Sequence, residues 1–129
     1  MILAIAPSFA KAQDIRGQAE PMFRIKASGI NPNIIGPDNP YYTPKDIQTA
    51  YHLPTTGGSG TIAIVDAYSD PRIASDLSSF SVQWGLASPN LEIHPMSSNV
   101  QSNYQWGMEI SLDVEWAHAI APNAKIPAS

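Results

Sequence analysis

The chain has 129 residues, of which 43% are hydrophobic and 14% charged, a size and composition typical of one small globular domain. The net charge is -4 and the 7 Lys and Arg residues form no cluster, which argues against nucleic acid and anionic membranes as partners, and no apolar run approaches the roughly 20 residues that span a bilayer. Cysteine is absent, which excludes disulfides, thiolate zinc sites and a cysteine nucleophile.

The first 40 residues show no sustained helical or strand period. Residues 1–9 are mostly apolar and lead to Ala10-Lys11-Ala12, which has the A-x-A form of a signal-peptidase site. Because Pro7 interrupts the apolar stretch and no basic residue precedes it, the segment is either a remnant of a secretory signal or an ordinary chain terminus. The first interpretation implies an extracellular protein. The Pro/Asn/Gly-rich stretch that ends at residue 40 predicts a linker.

Ordered structure is predicted to begin at residue 41. The capping hydroxyl of Thr43, followed by a proline, predicts a helix over residues 44–52 that a second proline stops. After a glycine-rich turn, residues 61–65 form an apolar, β-branched run without polar alternation. Such a run predicts a central parallel strand that is buried on both faces.

A second helix is predicted from the pair Asp70-Pro71, which repeats the capping and proline signal, to near Gly85. Its predicted apolar face consists of Ile73, Leu77, Phe80, Val82 and Trp84.

The C-terminal half continues this alternation. A strand is predicted over residues 91–96, a longer helix over residues 106–120, and a further strand could open at residues 124–126. Strands that alternate with helices predict an α/β fold with a parallel sheet.

The long helix carries two acids on its predicted apolar side. Glu109 and Asp113 lie only roughly 40° apart around the helix axis. The same face holds Trp106, Leu112, Trp116, Ala117 and Ile120, and the polar side holds Ser111, Glu115 and His118. Two neighbouring buried acids repel each other and are costly unless they are paired or share a proton. The pattern therefore indicates either structural neutralisation by Arg or Lys, or a functional site.

A third acid, Asp66, directly follows the apolar run at residues 61–65. This position places its carboxylate at the C-terminal edge of the predicted sheet, where open α/β folds assemble their sites. A capping or turn role is the alternative. If the strand and the helix are neighbours, Asp66, Glu109 and Asp113 can converge, and one of them can act as a general base tuned by the others. Carboxylate chemistry of this kind suits acidic pH.

Two segments carry a more specific pattern. Residues 60–68 read Gly-Thr-Ile-Ala-Ile-Val-Asp-Ala-Tyr, and residues 109–126 combine Glu-x-x-x-Asp with the exit Ala-Pro-x-Ala-Lys-Ile. Together with Tyr-Thr-Pro at 42–44, they resemble the start of the catalytic domain of the sedolisins, the serine-carboxyl peptidases. The resemblance covers residues 41–126. It implies a partial, N-terminal fragment of a subtilisin-like fold and a serine-type endopeptidase that acts on polypeptides.

The resemblance also implies roles for the three acids. Glu109 matches the general base for a serine nucleophile, and Asp113 matches the aspartate that orients and buffers this base. Asp66 matches the strand-end acid that extends the hydrogen-bond chain behind the pair in some members. This is a nucleophile, base and orienter arrangement with glutamate in place of histidine.

Other features of the family have no match in the 129 residues. The Gly-Thr-Ser motif of the nucleophile, the oxyanion aspartate, the propeptide and the ligands of the family's calcium ion are missing. Ser59 is interpreted as turn chemistry, Ser129 simply ends the chain, and Pro127 is unexpected in a central strand. We therefore expect a truncated fragment that is inactive alone.

Other chemistries fit the sequence less well. His52, His94 and His118 are isolated, with neither a serine-partner motif nor the His-Glu-x-x-His spacing of a zinc peptidase. Two acids on one helix are far short of the 6 to 8 oxygen ligands that calcium prefers. The aromatic residues could line a binding groove, although core positions are more common for them. The alternative from another functional class is a non-catalytic binding or interaction module derived from a peptidase domain.

Overall fold

A computed structural model describes residues 42–54 and 56–129. The predicted signal remnant and linker, residues 1–40, lie outside the described residues. Three helices and three strands alternate along the chain: α1 (Pro44–Ala50), β1 (Ser59–Thr61), α2 (Ile73–Trp84), β2 (Asn90–Ile93), α3 (Tyr104–Ile120) and β3 (Asn123–Ala128). The strands form one parallel sheet in the order β1-β3-β2. The α/β prediction is confirmed. No helix in the described ranges has the length and apolarity that a membrane span requires.

Helix α1 begins with a capping box. The Thr43 hydroxyl accepts a hydrogen bond from the Asp46 N–H at 3.2 Å, and the Asp46 carboxylate accepts one from the Thr43 N–H at 2.8 Å. The helix ends at Ala50, two residues earlier than predicted, and His52 adopts a left-handed φ of 53°. The Gln48 side chain donates to the Ala119 carbonyl at 3.3 Å, which ties α1 to the end of α3.

Helix α2 starts at Ile73 rather than beside Pro71. The Asp70 carboxylate accepts a hydrogen bond from the Arg72 N–H at 2.9 Å, so it forms an Asx turn before the helix instead of capping it. Gly85 ends α2 in the left-handed conformation, with φ 64°. The prediction that Val82 belongs to the apolar face is wrong, because Val82 is 81% exposed and lies about 140° around the helix from buried Leu77.

Strand β3 is the centre of the sheet and contains Pro127. The expectation that proline is excluded there is wrong, because the Pro127 carbonyl still accepts a hydrogen bond from the Ile64 N–H at 2.9 Å. In a regular parallel ladder, the N–H of residue 127 would donate to the Ile62 carbonyl. Proline has no N–H, so this hydrogen bond is missing. The regular pairing of β1 therefore ends at Thr61, while an isolated bridge from Ile64 to Ala128 keeps the same register beyond the gap.

The predicted central strand over residues 61–65 is instead part of an edge. Only Thr61 of the predicted strand belongs to β1, and Ile64 forms an isolated bridge to β3. No described strand pairs with the outer side of β1. Ile64 packs against the core from one face, whereas Val65, on the other face, is 76% exposed. The core that α2, α3 and β3 share lies on the Ile64 face. The apolar run is therefore partly buried on that face, while residues 61, 63 and 65 are exposed.

Strand β2 is shorter than the predicted strand over residues 91–96. It ends at Ile93, and Met96 is 80% exposed. The His94 N–H still donates to the Ala128 carbonyl at 2.7 Å, which holds the chain beside β3 for one more residue.

Helix α3 starts at Tyr104, two residues earlier than predicted, because the Asn103 side chain caps it by accepting hydrogen bonds from two backbone N–H groups. The core consists of Ile73, Leu77, Ile110, Val114 and Ala128, with Ile64 and Leu91 packed against it. The assignment of His118 to the polar side is wrong. Its ring is fully buried, and its Nε2 lies 2.9 Å from the Ala87 carbonyl oxygen, to which it can donate.

The two faces of α2 give a matched stability test. We expect Leu77→Ala to lower the free energy of unfolding by about 2–5 kcal/mol, since it leaves a cavity in the core. Val82→Ala on the exposed face should change it by no more than about 0.5 kcal/mol. Chemical denaturation followed by circular dichroism measures both, and equal effects would contradict the observed orientation of α2.

Candidate functional site

Asp66 lies at the C-terminal edge of the sheet, as predicted. Its N–H donates to the Ser129 carbonyl at 3.2 Å, which extends the pairing of this segment with β3 to the end of the strand. Side chains alternate along an extended segment, so Asp66 shares a face with Ile64, which packs on the helical side of the sheet. The carboxyl group of Asp66 is therefore directed toward α3.

Glu109 and Asp113 lie one helical turn apart on α3, on the flank of its buried stripe. The stripe is centred on Ile110 and Val114, which are 5% and 0% exposed. The prediction that both acids point inward is wrong for Asp113, which is exposed, whereas Glu109 is half-buried. Leu112, expected on the same face, is 46% exposed. The buried stripe is thus rotated away from the predicted one, and it leaves the two acids at its border.

The three acids are electrostatically coupled. Burial, the charge of Asp113 and the charge of Glu109, in that order, raise the pKa of the Asp66 carboxyl from 3.8 to about 6. The structure thus brings together the three carboxyl groups that the sequence had suggested could converge. Asp66 therefore keeps its proton to a higher pH than an ordinary aspartate does.

Two oxygens of this cluster are buried without a hydrogen-bond donor among the described residues: Oδ2 of Asp66 and Oε2 of Glu109. Arg72 and Lys125, two basic residues in the described part of the chain, lie beside other acids and do not neutralise the cluster. Arg72 lies 4.0 Å from Asp70 and Asp76, and Lys125 lies 2.9 Å from Glu92. Asp66 and Glu109 thus each keep one buried oxygen without a donor among the described residues, which is costly in a folded protein and found at functional sites.

The opposite flank of α3 carries an acid that the sequence pattern placed in solvent. Burial, followed by the charge of Asp76, raises the pKa of Glu115 from 4.5 to about 7. Glu115 lines a groove of about 570 Å³ between α2 and α3, together with Arg72, Ser111 and other residues. Only the packing of α2 against α3 removes this carboxyl from water, so no signal in the sequence of α3 could have identified it.

Asp70 was interpreted as a helix cap, but its side chain is only 5% exposed. Besides the Arg72 N–H, it accepts a hydrogen bond from the Ser111 hydroxyl at 3.5 Å. It therefore joins the loop that follows Asp66 to α3. A capping acid and a buried tether have the same sequence pattern, so contacts with a distant helix were needed to distinguish them.

The described residues contain no group of three or more His, Asp or Glu side chains that could hold a metal ion. Two of the histidines contact other groups: His94 Nε2 lies 3.1 Å from a carboxylate oxygen of Glu92, and His118 is buried with its Nε2 beside the Ala87 carbonyl.

Comparisons with known proteins give no relative for this chain. No protein-family model matches it, and neither a curated protein nor a solved structure does.

The raised pKa values predict greater stability in mild acid. An acid whose pKa is higher in the folded state than in the unfolded state makes the folded state bind more protons, so the free energy of unfolding falls as pH rises. For Asp66 and Glu115 this window runs from their ordinary values, 3.8 and 4.5, to about 6 and about 7. We expect the melting temperature to rise as pH is lowered from about 7.5 to about 5.

Differential scanning calorimetry of variants separates the two sites. Glu115→Gln should flatten the upper part of this pH dependence, and Asp66→Asn the lower part, because each removes one titrating group. A melting temperature that falls steadily on acidification through this range would contradict the assignment.

Proposed function

We propose that this chain carries the general-base side of a serine-carboxyl peptidase active site. Glu109 is the base, Asp113 orients and buffers it, and Asp66 is the acid behind the pair. The substrate is a polypeptide, and the complete domain has a subtilisin-like fold. One observation supports the proposal most directly: the buried Oε2 of Glu109 has no donor among the described residues.

A buried acceptor without a donor costs about 1–3 kcal/mol, so a fold that keeps one has a use for the position. The donor that suits a carboxylate base is a hydroxyl group about 2.6–3.2 Å away. A serine hydroxyl placed there would satisfy Oε2 and be activated by it in one contact. The orphaned oxygen thus lacks the kind of donor that a nucleophilic serine from outside the described residues would supply.

In the proposed reaction, the acid cluster accepts one proton and later returns it. As the serine oxygen bonds to the peptide carbonyl carbon, its proton passes to Glu109, which returns it to the leaving amine when the peptide bond breaks. Asp66, whose pKa is about 6, retains a proton in mild acid. This removes one negative charge beside Glu109 and Asp113, so the cluster tolerates an ionised base in a partly buried setting.

Neither serine considered from the sequence fills the nucleophile's place. Ser59 belongs to β1, where it is exposed, and is not part of a turn as predicted. Ser129 lies at the end of β3 near Asp66, but its Oγ is buried without a hydrogen-bond partner among the described residues. It is thus bonded to neither buried acid.

The 129-residue chain alone is expected to cleave no denatured protein at any pH between about 3 and 8, because a carboxylate base needs a hydroxyl within hydrogen-bond reach. Incubation of the purified chain with a denatured substrate, followed by mass spectrometry of the products, measures this. Acid-dependent cleavage that Glu109→Gln abolishes would contradict the placement of the nucleophile outside the described residues.

The proposal itself is tested on the longest product that the gene encodes, after the DNA on both sides of the 129 codons has been read. If a Gly-Thr-Ser motif and an intervening aspartate follow, that product should hydrolyse polypeptides in acid. Glu109→Gln should then lower kcat by about 10²–10⁴-fold, the usual loss when a general base is removed.

Glu115→Gln is the matched control, since it removes a carboxyl of the same type from the other flank of the same helix. It should leave kcat within about twofold, as expected for a group that does not touch the reacting atoms. Full activity of Glu109→Gln, or the absence of any such downstream motif, would overturn the peptidase proposal.

A non-catalytic interaction module is the second candidate, and the uncovered face of the sheet favours it. Val65 is 76% exposed on that face, and no described strand pairs with the outer side of β1. Under this hypothesis the acids are binding groups or relics. Sequencing of the flanking DNA distinguishes the two candidate functions, because an interaction module needs no nucleophilic serine.

A further inference from the structure

The loop that follows Asp66 is fastened to α3 and to the segment that precedes it. At Tyr68 the backbone adopts a left-handed φ of 65°, which is uncommon for a bulky residue and persists only where the surroundings hold it. The next residue, Ser69, donates its N–H to the Gln101 carbonyl at 3.0 Å and forms an isolated parallel bridge with Ser102. Both features occur within three residues of Asp66.

The Tyr68 ring packs on Trp106 of α3. The ring centroids are 6.4 Å apart with an interplanar angle of 33°, a distance within the range of favourable aromatic pairs. Trp106 lies three residues before Glu109, so it is on the adjoining turn of the same helix. The contact therefore joins the residue two positions after Asp66 to the turn that carries Glu109.

A second contact between the loop and α3 lies further along the loop. The Asp70 carboxylate, 5% exposed, accepts a hydrogen bond from Ser111 on α3. It approaches the helix closely, because a Cβ at Gly107 would lie 3.4 Å from Asp70 Oδ2. A Cβ at this position would be in ordinary van der Waals contact with the carboxylate. The loop is thus held to α3 on both sides of Ser69.

We propose that Tyr68 is a positioning residue, whose ring contact with Trp106, assisted by the Asp70 tether, holds Asp66 against Glu109 and Asp113. This role rests on the proposed function, because the three acids that Tyr68 helps to hold together are the base side of the proposed active site. It makes a separate claim, however, about how the loop after Asp66 is held. Tyr68 itself touches no reacting atom in this assignment.

The experiment follows the titration of the Asp66 carboxyl by carbon-13 NMR in the 129-residue chain, which requires no proteolytic activity. In the unaltered chain, Asp66 should titrate at about 6. Tyr68→Gly removes the ring while permitting the left-handed φ. It should bring this value back toward the ordinary 3.8, because Asp66 then loses its burial and its position beside the other two acids. Tyr68→Phe keeps the ring and should leave the titration unchanged.

Tyr42→Ala removes an exposed tyrosine outside the loop and should also leave the Asp66 titration unchanged. A second ring-removing variant, Tyr68→Asn, tolerates the left-handed backbone and should reproduce the result of Tyr68→Gly. Titration of Asp66 at about 6 in either folded ring-removing variant would overturn the proposal. Loss of the cooperative melt in both variants would also overturn it, since that result assigns the ring to global stability instead of positioning.

The result is separable from the fate of the peptidase proposal. If the flanking DNA encodes no nucleophile but the ring-removing variants shift Asp66, the positioning role stands and catalysis falls. If the downstream serine is found but Asp66 still titrates at about 6 in these folded variants, catalysis stands and the positioning role falls.

Discussion

The burial of one stripe of α3 is the constraint on which the described structure depends. Val114 and His118 have no exposed surface and Ile110 has 5%, and α2, β3 and α1 all pack against this helix. Because apolar burial supplies the main driving force for folding, the stripe fixes the rotation of α3 about its axis. That rotation in turn decides where each polar side chain of the helix lies.

The same rotation places acids on both flanks of α3. Glu109 and Asp113 lie toward the edge of the sheet that carries Asp66, and Glu115 lies toward α2 and Asp76. Each flank thereby brings together carboxyl groups from two separate elements, at least one of which is partly buried. The raised pKa values of Asp66 and Glu115 are the electrostatic cost of this arrangement. A protein that bears this cost on both sides of one helix is better suited to acid than to alkaline conditions.

Pro127 shapes the other half of the site. Pro127 lies in β3, the central strand, and interrupts its pairing with the edge segment. The same register continues at Ile64, and Asp66 is still hydrogen-bonded to Ser129. The local chemistry behind the expectation was correct, since proline cannot donate a backbone hydrogen bond. The carbonyl groups of residues 125, 127 and 129 still accept bonds from the edge segment, and these were enough to hold it.

The sequence by itself determined the α/β alternation, the N-cap of α1 and the position of Asp66 at the C-terminal edge of the sheet, because each depends on local periodicity or on neighbours along the chain. The tertiary structure alone decided the exposure of Asp113, the burial of His118 and Glu115, and the edge position of the apolar run at residues 61–65. Periodicity shows that a helix has an apolar side, but broad stripes overlap, and only the elements packed against it select which residues are buried. For the same reason, the contact of Tyr68 with Trp106 and that of Asp70 with Ser111 have no signature in the sequence: they join residues about 40 positions apart that only the fold brings together.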